Sequence, residues 1–229
     1  MFVKICGITN EDDALLATAL DADALGFIFA PSKRQVDPET VRDIVRRLPN
    51  DIHTVGVFRK ERPERIIEIM NRTGLHGAQL HDVESNAEVA WIKERVQFVI
   101  HAFVAGEDAL RHAAESPADL IHVDSPDPGS GRVFDWRLAE GAPSGVRLML
   151  AGGLTPKNVG EAIRLVRPWG VDVASGVEEK PGRKDSRKLR EFVIAAREAG
   201  AVVADRAIDL TLSDDIAGVT RPWDWQLDE

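Results

Sequence analysis

Short apolar, β-branched runs alternate with stretches of helical periodicity along most of this chain. Eight strand-then-helix units fall within about the first 200 residues. The predicted strands are 2–6, 24–29, 52–58, 77–80, 96–103, 120–124, 146–152 and 171–175. Strict alternation of β and α elements predicts a parallel sheet covered by helices, and eight repeats fit a closed barrel. We therefore predict an α/β protein with a single (β/α)8 TIM barrel over residues 1–200.

Two predicted helices begin with recognisable capping signals. Asn10 precedes the segment EDDALLATALDA, and Asp37 stands before Pro38 at the first helical position of PETVRDIVRRL. An open doubly wound sheet is the alternative architecture, but it usually has fewer units and a GxGxxG turn after its first strand. The first strand here is followed by CGITNED. The pattern favours the closed barrel.

The net charge, the cysteine count and the lack of long apolar runs limit the partners and the cellular location that we expect. The net charge of −9 argues against a broad nucleic-acid-binding face. The single cysteine forms no internal disulfide, and the sequence has no CxxC or Cys/His metal spacing. The first residues lack the basic and apolar regions of a signal peptide, and no run approaches the length of a membrane span. We expect a cytoplasmic protein without nucleic-acid or membrane partners.

The last 29 residues do not follow the β/α pattern. Residues 201–229 contain seven acidic and two basic residues, together with Trp223 and Trp225. Because disordered tails rarely keep aromatic side chains, we expect part of this C-terminal extension to pack on the barrel or on a partner chain.

Several strand ends carry side chains suited to chemistry. In a barrel of this kind the carboxyl ends of the strands and the loops after them build the active site. Strand one ends at Cys6, strand four leads to Gln79 and His81, and strand six ends at Asp124 before a long loop rich in Gly, Pro and Ser. A carboxyl group at a pocket mouth can serve as a general acid. We predict that these side chains face one mouth.

Cys6 allows two interpretations. A lone cysteine often packs in a core as a small apolar group. The alternation of the first strand, however, places Lys4 and Cys6 on one face. If that face lines the barrel, the Lys4 cation lies one residue pair below the thiol and favours the thiolate, which can act as a base or a nucleophile.

Binding of an anionic substrate is predicted from two further features. Gly152 and Gly153 follow strand seven and Gly176 follows strand eight, where barrels frequently bind phosphate through backbone N–H groups. Glycines are also ordinary in βα turns, so this alternative remains. Arg34, in the loop after strand two, is a two-pronged donor suited to a carboxylate, although many arginines in such loops are simply solvated.

These residues together resemble the phosphoribosylanthranilate isomerase family of tryptophan biosynthesis. The resemblance covers residues 2 to about 197. Its motifs are KICGIT (4–9), GFIFAPSKRQV (26–36), GAQLH (77–81), VD (123–124), GSGRVFDW (129–136), LAGGLTPKNV (150–159) and GVDVASGVEEKPGRKDSRKLREF (170–192).

The resemblance implies an Amadori rearrangement of N-(5'-phosphoribosyl)anthranilate without metal or cofactor. By motif, Cys6 corresponds to the general base, Asp124 to the general acid and Arg34 to the residue that binds the anthranilate carboxylate. Gln79 and His81 belong to the predicted substrate site. The implied phosphate site is formed by the backbone around Gly131, Gly152, Gly153, Ser175 and Gly176. The expected partner is a phosphorylated small molecule, and the protein is expected to be a monomer or a homodimer.

The resemblance leaves one local departure and two rival functions. Asp82 stands where the family usually has glycine after QLH, which allows a different path for that loop. A related sugar isomerase of histidine synthesis, or a barrel serving both pathways, is one rival, although those enzymes typically have aspartate where this chain has Cys6. The other rival is a barrel that binds phosphorylated ligands without catalysis, with the tail as a docking element.

Overall fold

The computed structural model describes residues 1–83, 85–106, 113–124 and 146–210, with side chains up to residue 204. Eight parallel strands form a closed barrel, which confirms the predicted fold. The barrel strands are β1 (Phe2–Cys6), β2 (Ala24–Ile28), β3 (His53–Arg59), β4 (Gly77–His81), β5 (Phe98–Val104), β6 (Leu120–Asp124), β7 (Leu148–Leu150) and β8 (Gly170–Val173). The described helices are α1 (Glu11–Ala19), α2 (Pro38–Val45), α3 (Pro63–Thr73), α4 (Asn86–Lys93), α5 (Val159–Val166) and α6 (Ser186–Leu210).

The capping signals in the sequence act as predicted. The Asn10 side chain accepts a hydrogen bond from the backbone N–H of Asp13 at the start of α1. Asp37 caps α2 in the same way through Thr40, with proline in the first turn. These caps satisfy backbone donors that have no partner within the helix.

The described residues form two apolar cores on opposite sides of the barrel wall. The larger core lies between the strands and the helices and includes Val3 and Ile5 from β1. The smaller core fills the lower barrel interior and consists of Ala24, Val55, Phe98, Ile100, Leu120 and Met149, with Phe2 and Trp169 packed against it. Because side chains alternate across a strand, β1 sends Lys4 and Cys6 inward above this smaller core. The barrel interior is therefore apolar below and polar above.

The strand pair β1–β8 closes the barrel. Lys4 is the register partner of Asp172 across this pair, and Cys6 is the register partner of Gly26 across the pair β1–β2. A side chain at Gly26 would bring its Cβ within 2.8 Å of the Cys6 Sγ and 3.1 Å of the Lys4 Nζ. Gly26 thus leaves the interior space that the lysine and the thiol occupy.

The last helix and a small hairpin differ from the sequence prediction. α6 passes through Gly200 and continues to Leu210. A Cβ at residue 200 would come within 2.4 Å of the Met1 Cβ, so this glycine allows close packing against Met1. An antiparallel pair, β9 (Glu178–Lys180) and β10 (Arg183–Lys184), precedes α6 and was not predicted. The proposed boundary at residue 200 therefore falls within a helix, and Trp223 and Trp225 lie outside the described residues.

No helix in the described ranges has the length and hydropathy needed to cross a membrane.

We predict that two glycine-to-alanine substitutions change stability in opposite directions. In Gly77→Ala the new Cβ would lie 2.2 Å from the Phe98 ring inside the barrel, and overpacking of this kind costs about 1–3 kcal/mol. In Gly160→Ala, within α5, the nearest atom is an Arg164 side-chain nitrogen at 3.4 Å, so the free energy of unfolding should rise by about 0.4–1 kcal/mol. Urea denaturation measures both; equal effects would contradict the described interior.

Candidate active site

A cavity of about 470 Å³ opens at the carboxyl ends of the barrel strands. It brings together most of the predicted site residues: Cys6, Arg34, Gln79, His81, Asp124, Gly152, Gly153 and Ser175. Asp124 ends β6 and Cys6 ends β1, so two groups far apart in sequence line one space. Gly131 lies outside the described residues.

Cys6 reaches the cavity but is largely shielded from solvent, with 6% of its surface exposed. Burial raises the pKa of its thiol above the ordinary value, while Lys4 and Lys184 act to lower the pKa and Asp172 acts to raise it. Lys4 thus acts in the direction expected from the sequence, but desolvation outweighs it. Because burial raises the pKa of the thiol above its ordinary value, the thiol is protonated at neutral pH in the unliganded site.

A buried ion pair lies directly below Cys6. The Lys4 Nζ is 3.0 Å from the Asp172 Oδ1, and both side chains are almost completely shielded. His122 Nε2 lies 2.9 Å from the other carboxylate oxygen of Asp172. Burial opposes both charges, but Lys4 and His122 lower the pKa of Asp172 to about 2, and Asp172 raises the pKa of Lys4. Both groups are charged at neutral pH.

His81 is a neutral side chain of the cavity wall. Burial, followed by the charges of His122 and Lys4, lowers the pKa of His81 to about 3. Its Nε2 lies 2.9 Å from the Gln79 Nε2, and its ring meets the His122 ring edge-on with centroids 5.8 Å apart. Two buried atoms of this wall, the Gln79 Oε1 and the His122 Nδ1, have no hydrogen-bond partner among the described residues.

Arg34 is held by a carboxylate of the protein itself. Its Nε and Nη2 donate to the two oxygens of Glu178 at 2.8 and 2.7 Å. Burial opposes the charge of Glu178, but the hydrogen bonds from Arg34 and the charge of Lys184 lower its pKa. The guanidinium is therefore oriented at the cavity edge before any ligand arrives.

The β9–β10 hairpin fastens this edge to the barrel rim. The Lys184 Nζ donates to the carbonyl oxygens of Cys6 at 2.6 Å and Ala174 at 3.2 Å, and lies 3.3 Å from a Glu178 oxygen. The Thr9 hydroxyl donates to the Gly182 carbonyl at 2.5 Å. The hairpin thus ties the ends of β1 and β8 together behind the cavity.

The glycines predicted to bind phosphate are required for two different structural reasons. Gly152 and Gly153 have φ angles of 85° and 67° in the turn after β7, a backbone region that favours glycine. Gly176, which follows β8, instead lies against the loop after β7, where a Cβ would come within 1.8 Å of the Leu154 carbonyl oxygen. Gly176 is therefore required by the close approach of the loops after β7 and β8, and it is not among the residues that line the cavity.

Asp82 occupies the position where the resembling family usually has glycine. Its φ is 52°, within the left-handed region that glycine adopts readily and aspartate tolerates. Its carboxylate accepts a hydrogen bond of 2.7 Å from the Arg59 Nε at the end of β3. The pair lies at the cavity mouth.

The comparisons with known proteins agree with the sequence motifs. A family model described as N-(5'phosphoribosyl)anthranilate (PRA) isomerase matches residues 3–195. An N-(5'-phosphoribosyl)anthranilate isomerase of Desulforudis audaxviator is 47% identical over 204 residues, covering 86% of this chain and 98% of that protein. The chain belongs to the N-(5'-phosphoribosyl)anthranilate isomerase family.

Solved structures place the same family on this fold. The phosphoribosyl anthranilate isomerase of Thermus thermophilus is 40% identical with a TM-score of 0.82, covering 86% of this chain and 99% of that one. A second isomerase structure, 38% identical with a TM-score of 0.76, covers 86% and 99% and contains reduced 1-(o-carboxyphenylamino)-1-deoxyribulose 5-phosphate. The predicted family is therefore confirmed.

Four residues of this isomerase site were missed by the sequence analysis. Asp172, His122, Glu178 and Lys184 were not singled out. The alternation of strand eight could have placed Asp172 inside the barrel beside Lys4, and the Pro-Gly pair at 181–182 could have indicated the hairpin. The partners of Glu178 and Lys184 are too distant in sequence for any local pattern to indicate them.

We predict that Glu178→Ala destabilises the isomerase by about 3 kcal/mol, because it leaves the buried Lys184 cation without its carboxylate. Glu179→Ala changes the adjacent, exposed glutamate and serves as the control. Since the pKa of folded Glu178 is lowered, its contribution is present above pH 4.5, the ordinary value, and is lost as the pH falls towards the folded pKa. Denaturant titrations of all three proteins at pH 7 and below pH 4 measure this; an equal loss at both pH values would contradict the ion pair.

Proposed function

We propose that this chain converts N-(5'-phosphoribosyl)anthranilate to 1-(2-carboxyphenylamino)-1-deoxyribulose 5-phosphate by general acid/base catalysis in tryptophan biosynthesis. One observation carries the proposal: Cys6 and Asp124, from the ends of β1 and β6, line the same cavity. A family member has been solved with a reduced form of this product, which supports a ligand of the same class here.

Asp124 acts first, as the general acid. Its carboxyl proton passes to the ribose ring oxygen as the bond between that oxygen and C1' breaks. The nitrogen lone pair forms the C1'–N double bond, which gives an open-chain iminium ion. A carboxyl group at the cavity wall suits this step, because a positioned acid must be within hydrogen-bond reach of the leaving oxygen.

Cys6 then acts as the general base. The thiolate takes the C2' proton, the C2'–H electron pair forms the C1'–C2' double bond, and the iminium nitrogen becomes neutral. The resulting enolamine tautomerises to the ketone. Burial disfavours the thiolate in the empty site. The iminium cation formed beside the thiol adds an opposite charge that favours ionisation. The thiol proton leaves to solvent through the cavity mouth, so the thiolate is present when the C2' proton is taken.

The loops after β7 and β8 are the proposed phosphate site. The turn at Gly152–Gly153 and the start of the 3-10 segment Ser175–Val177 offer backbone N–H groups at the cavity wall. The Asn158 side chain accepts from the Thr155 N–H and donates to the Gly153 carbonyl, so the first turn is fixed before binding. Gly131 and Gly176 remain part of this proposal, Gly176 as the residue that lets the two loops meet.

Arg34 is the proposed partner of the anthranilate carboxylate, with Gln79 and His81 on the cavity wall opposite the phosphate loops. Glu178 orients the guanidinium, and the substrate carboxylate would share its remaining N–H donors or replace one Glu178 oxygen. We further propose that the reaction takes place in the cytoplasm and that the enzyme is a monomer or a homodimer.

We predict that Cys6→Ala and Asp124→Ala each reduce kcat/KM for N-(5'-phosphoribosyl)anthranilate by at least about a hundredfold, the usual effect of removing an acid or base. Asp43→Ala, on the exposed part of α2, is the matched control and should keep full activity. The fluorescence change during turnover and the melting temperature of each protein are measured together. Near-full activity of either active-site variant would overturn its assigned role.

The same purified proteins separate the two rival functions. Turnover of the histidine-pathway aminoaldose alone would assign the chain to that reaction, and turnover of both substrates would make it a barrel serving two pathways. Binding of the phosphorylated substrate without turnover would support the non-catalytic rival. The proposal requires turnover of the anthranilate substrate.

Arg34 is tested with two substrates that differ in one group. We predict that Arg34→Met lowers kcat/KM about tenfold to a hundredfold for the anthranilate substrate, since charged hydrogen bonds contribute about 1.5–3 kcal/mol. The effect on the aniline analogue, which lacks the carboxylate, should be much smaller. An equal loss on both substrates would show that Arg34 supports the site without binding the carboxylate.

A further inference from the structure

Charged groups meet the Cys6 thiol from several directions. Lys4 lies on its own strand, Asp172 on β8 and Lys184 on β10, and all three act on its ionisation. Arg34 and Asp124 line the same cavity from the loop after β2 and from the end of β6. Lys184 is occupied by two carbonyl oxygens and Glu178. Among the described residues of the inner wall, the Lys4–Asp172 pair is the other buried charged group near the thiol.

The two members of the Lys4–Asp172 pair lie differently with respect to the thiol: Lys4 borders the sulfur, and Asp172 lies towards His122. An ideal Cβ on Gly26 would lie 2.8 Å from the Cys6 Sγ and 3.1 Å from the Lys4 Nζ, so both atoms border one small space. Asp172 binds Lys4 through Oδ1, and its Oδ2 faces His122 at 2.9 Å, from the β6 side. The positive end of the pair therefore faces the sulfur, and His122 fixes the carboxylate at the other end.

We propose that Lys4 is the positioning residue that makes Cys6 a usable base, with Asp172 and His122 holding its ammonium group beside the sulfur. The inference rests on the proposed role of Cys6. A thiol this deeply buried would resist ionisation, and a permanent cation that borders the same space offsets that resistance as the C2' proton is taken. Because Lys4 and Asp172 have opposite charges, they act on the thiol in opposite directions.

The single cysteine of the chain allows a direct test without any turnover. We would measure the rate of iodoacetamide alkylation as a function of pH for the wild type, Lys4→Met, Asp172→Asn and the double variant. Lys4→Met should slow alkylation near neutral pH on the order of tenfold and move the midpoint to higher pH, because an adjacent opposite charge has a large effect on ionisation. Asp172→Asn should move the midpoint to lower pH.

The controls separate charge from structure. The rates should converge at high pH, where the thiol is ionised in every variant, whereas a change in access to the thiol would alter that plateau. Lys180→Met, an exposed lysine on β9, should reproduce the wild-type curve. The double variant removes both charges and therefore leaves no unpaired charge in the barrel interior. It replaces Lys4→Met in the comparison if Lys4→Met alone fails to fold. Its alkylation midpoint should still lie above that of the wild type.

Midpoints that move in the same direction in Lys4→Met and Asp172→Asn, or that do not move, would overturn the inference. So would a double variant with the wild-type midpoint. In either case the proposed isomerase function would stand as long as Cys6→Ala is inactive and the wild type turns over substrate. Conversely, opposite shifts in a protein without turnover would support the electrostatic role and reject the function.

Discussion

The pairing of Lys4 with Asp172 across the β1–β8 seam is the interaction on which the site depends. A fully buried ammonium group is costly unless a carboxylate compensates it, and removing one partner of such a pair typically costs about 3–5 kcal/mol. The two residues are register partners, so the strand pairing that closes the barrel also brings the charges together. A slip of either strand by one residue would send its charged side chain to the opposite face and separate the pair. The register of β1 against β8 therefore closes the barrel, forms the ion pair and fixes the face on which Cys6 lies.

The barrel interior is organised in layers that follow from this constraint. The lower layer is apolar and packed with large side chains such as Phe98 and Met149. Above it lies the ion pair with His122, and above that the cavity bordered by Cys6 and Asp124. From the bottom of the barrel to its carboxyl-end rim, the interior therefore changes from apolar packing, which excludes charged groups, to a polar cavity suited to a charged ligand. An acid/base reaction on an anionic sugar needs groups that are desolvated yet fixed, and this arrangement supplies them.

The sequence predicted the elements better than the contacts between them. The apolar β-branched runs located β1 and β6 at their observed bounds, since both are short and end at a marked change to glycine or a polar loop. Strand seven was predicted over 146–152 but covers only Leu148–Leu150, although the Arg147 carbonyl and the Ala151 N–H still form hydrogen bonds with β6. Residue 200 was predicted to end the barrel, and a glycine suits a helix end; α6 instead continues past Gly200, whose lack of a side chain allows the contact with Met1. Local patterns do not distinguish these two uses of glycine.

The same limit applies to the site. Strand alternation correctly placed Lys4 beside Cys6, but the dominant influence on the thiol is burial, which depends on the whole barrel. Arg34 was identified as a carboxylate binder, whereas its partner Glu178 lies 144 residues away and no spacing reveals it. Residue types at strand ends therefore indicate which groups meet, and the fold decides their protonation and partners.

The most direct test of the account is a crystal structure of this protein with reduced 1-(2-carboxyphenylamino)-1-deoxyribulose 5-phosphate. We predict that the Cys6 sulfur and the Asp124 carboxylate lie on either side of the sugar chain, each within about 3–3.5 Å of the atom with which it exchanges a proton. The phosphate should contact the backbone at Gly153 and Ser175. A ligand bound with its C2' atom out of reach of the sulfur, or with Asp124 turned away from the sugar, would contradict it.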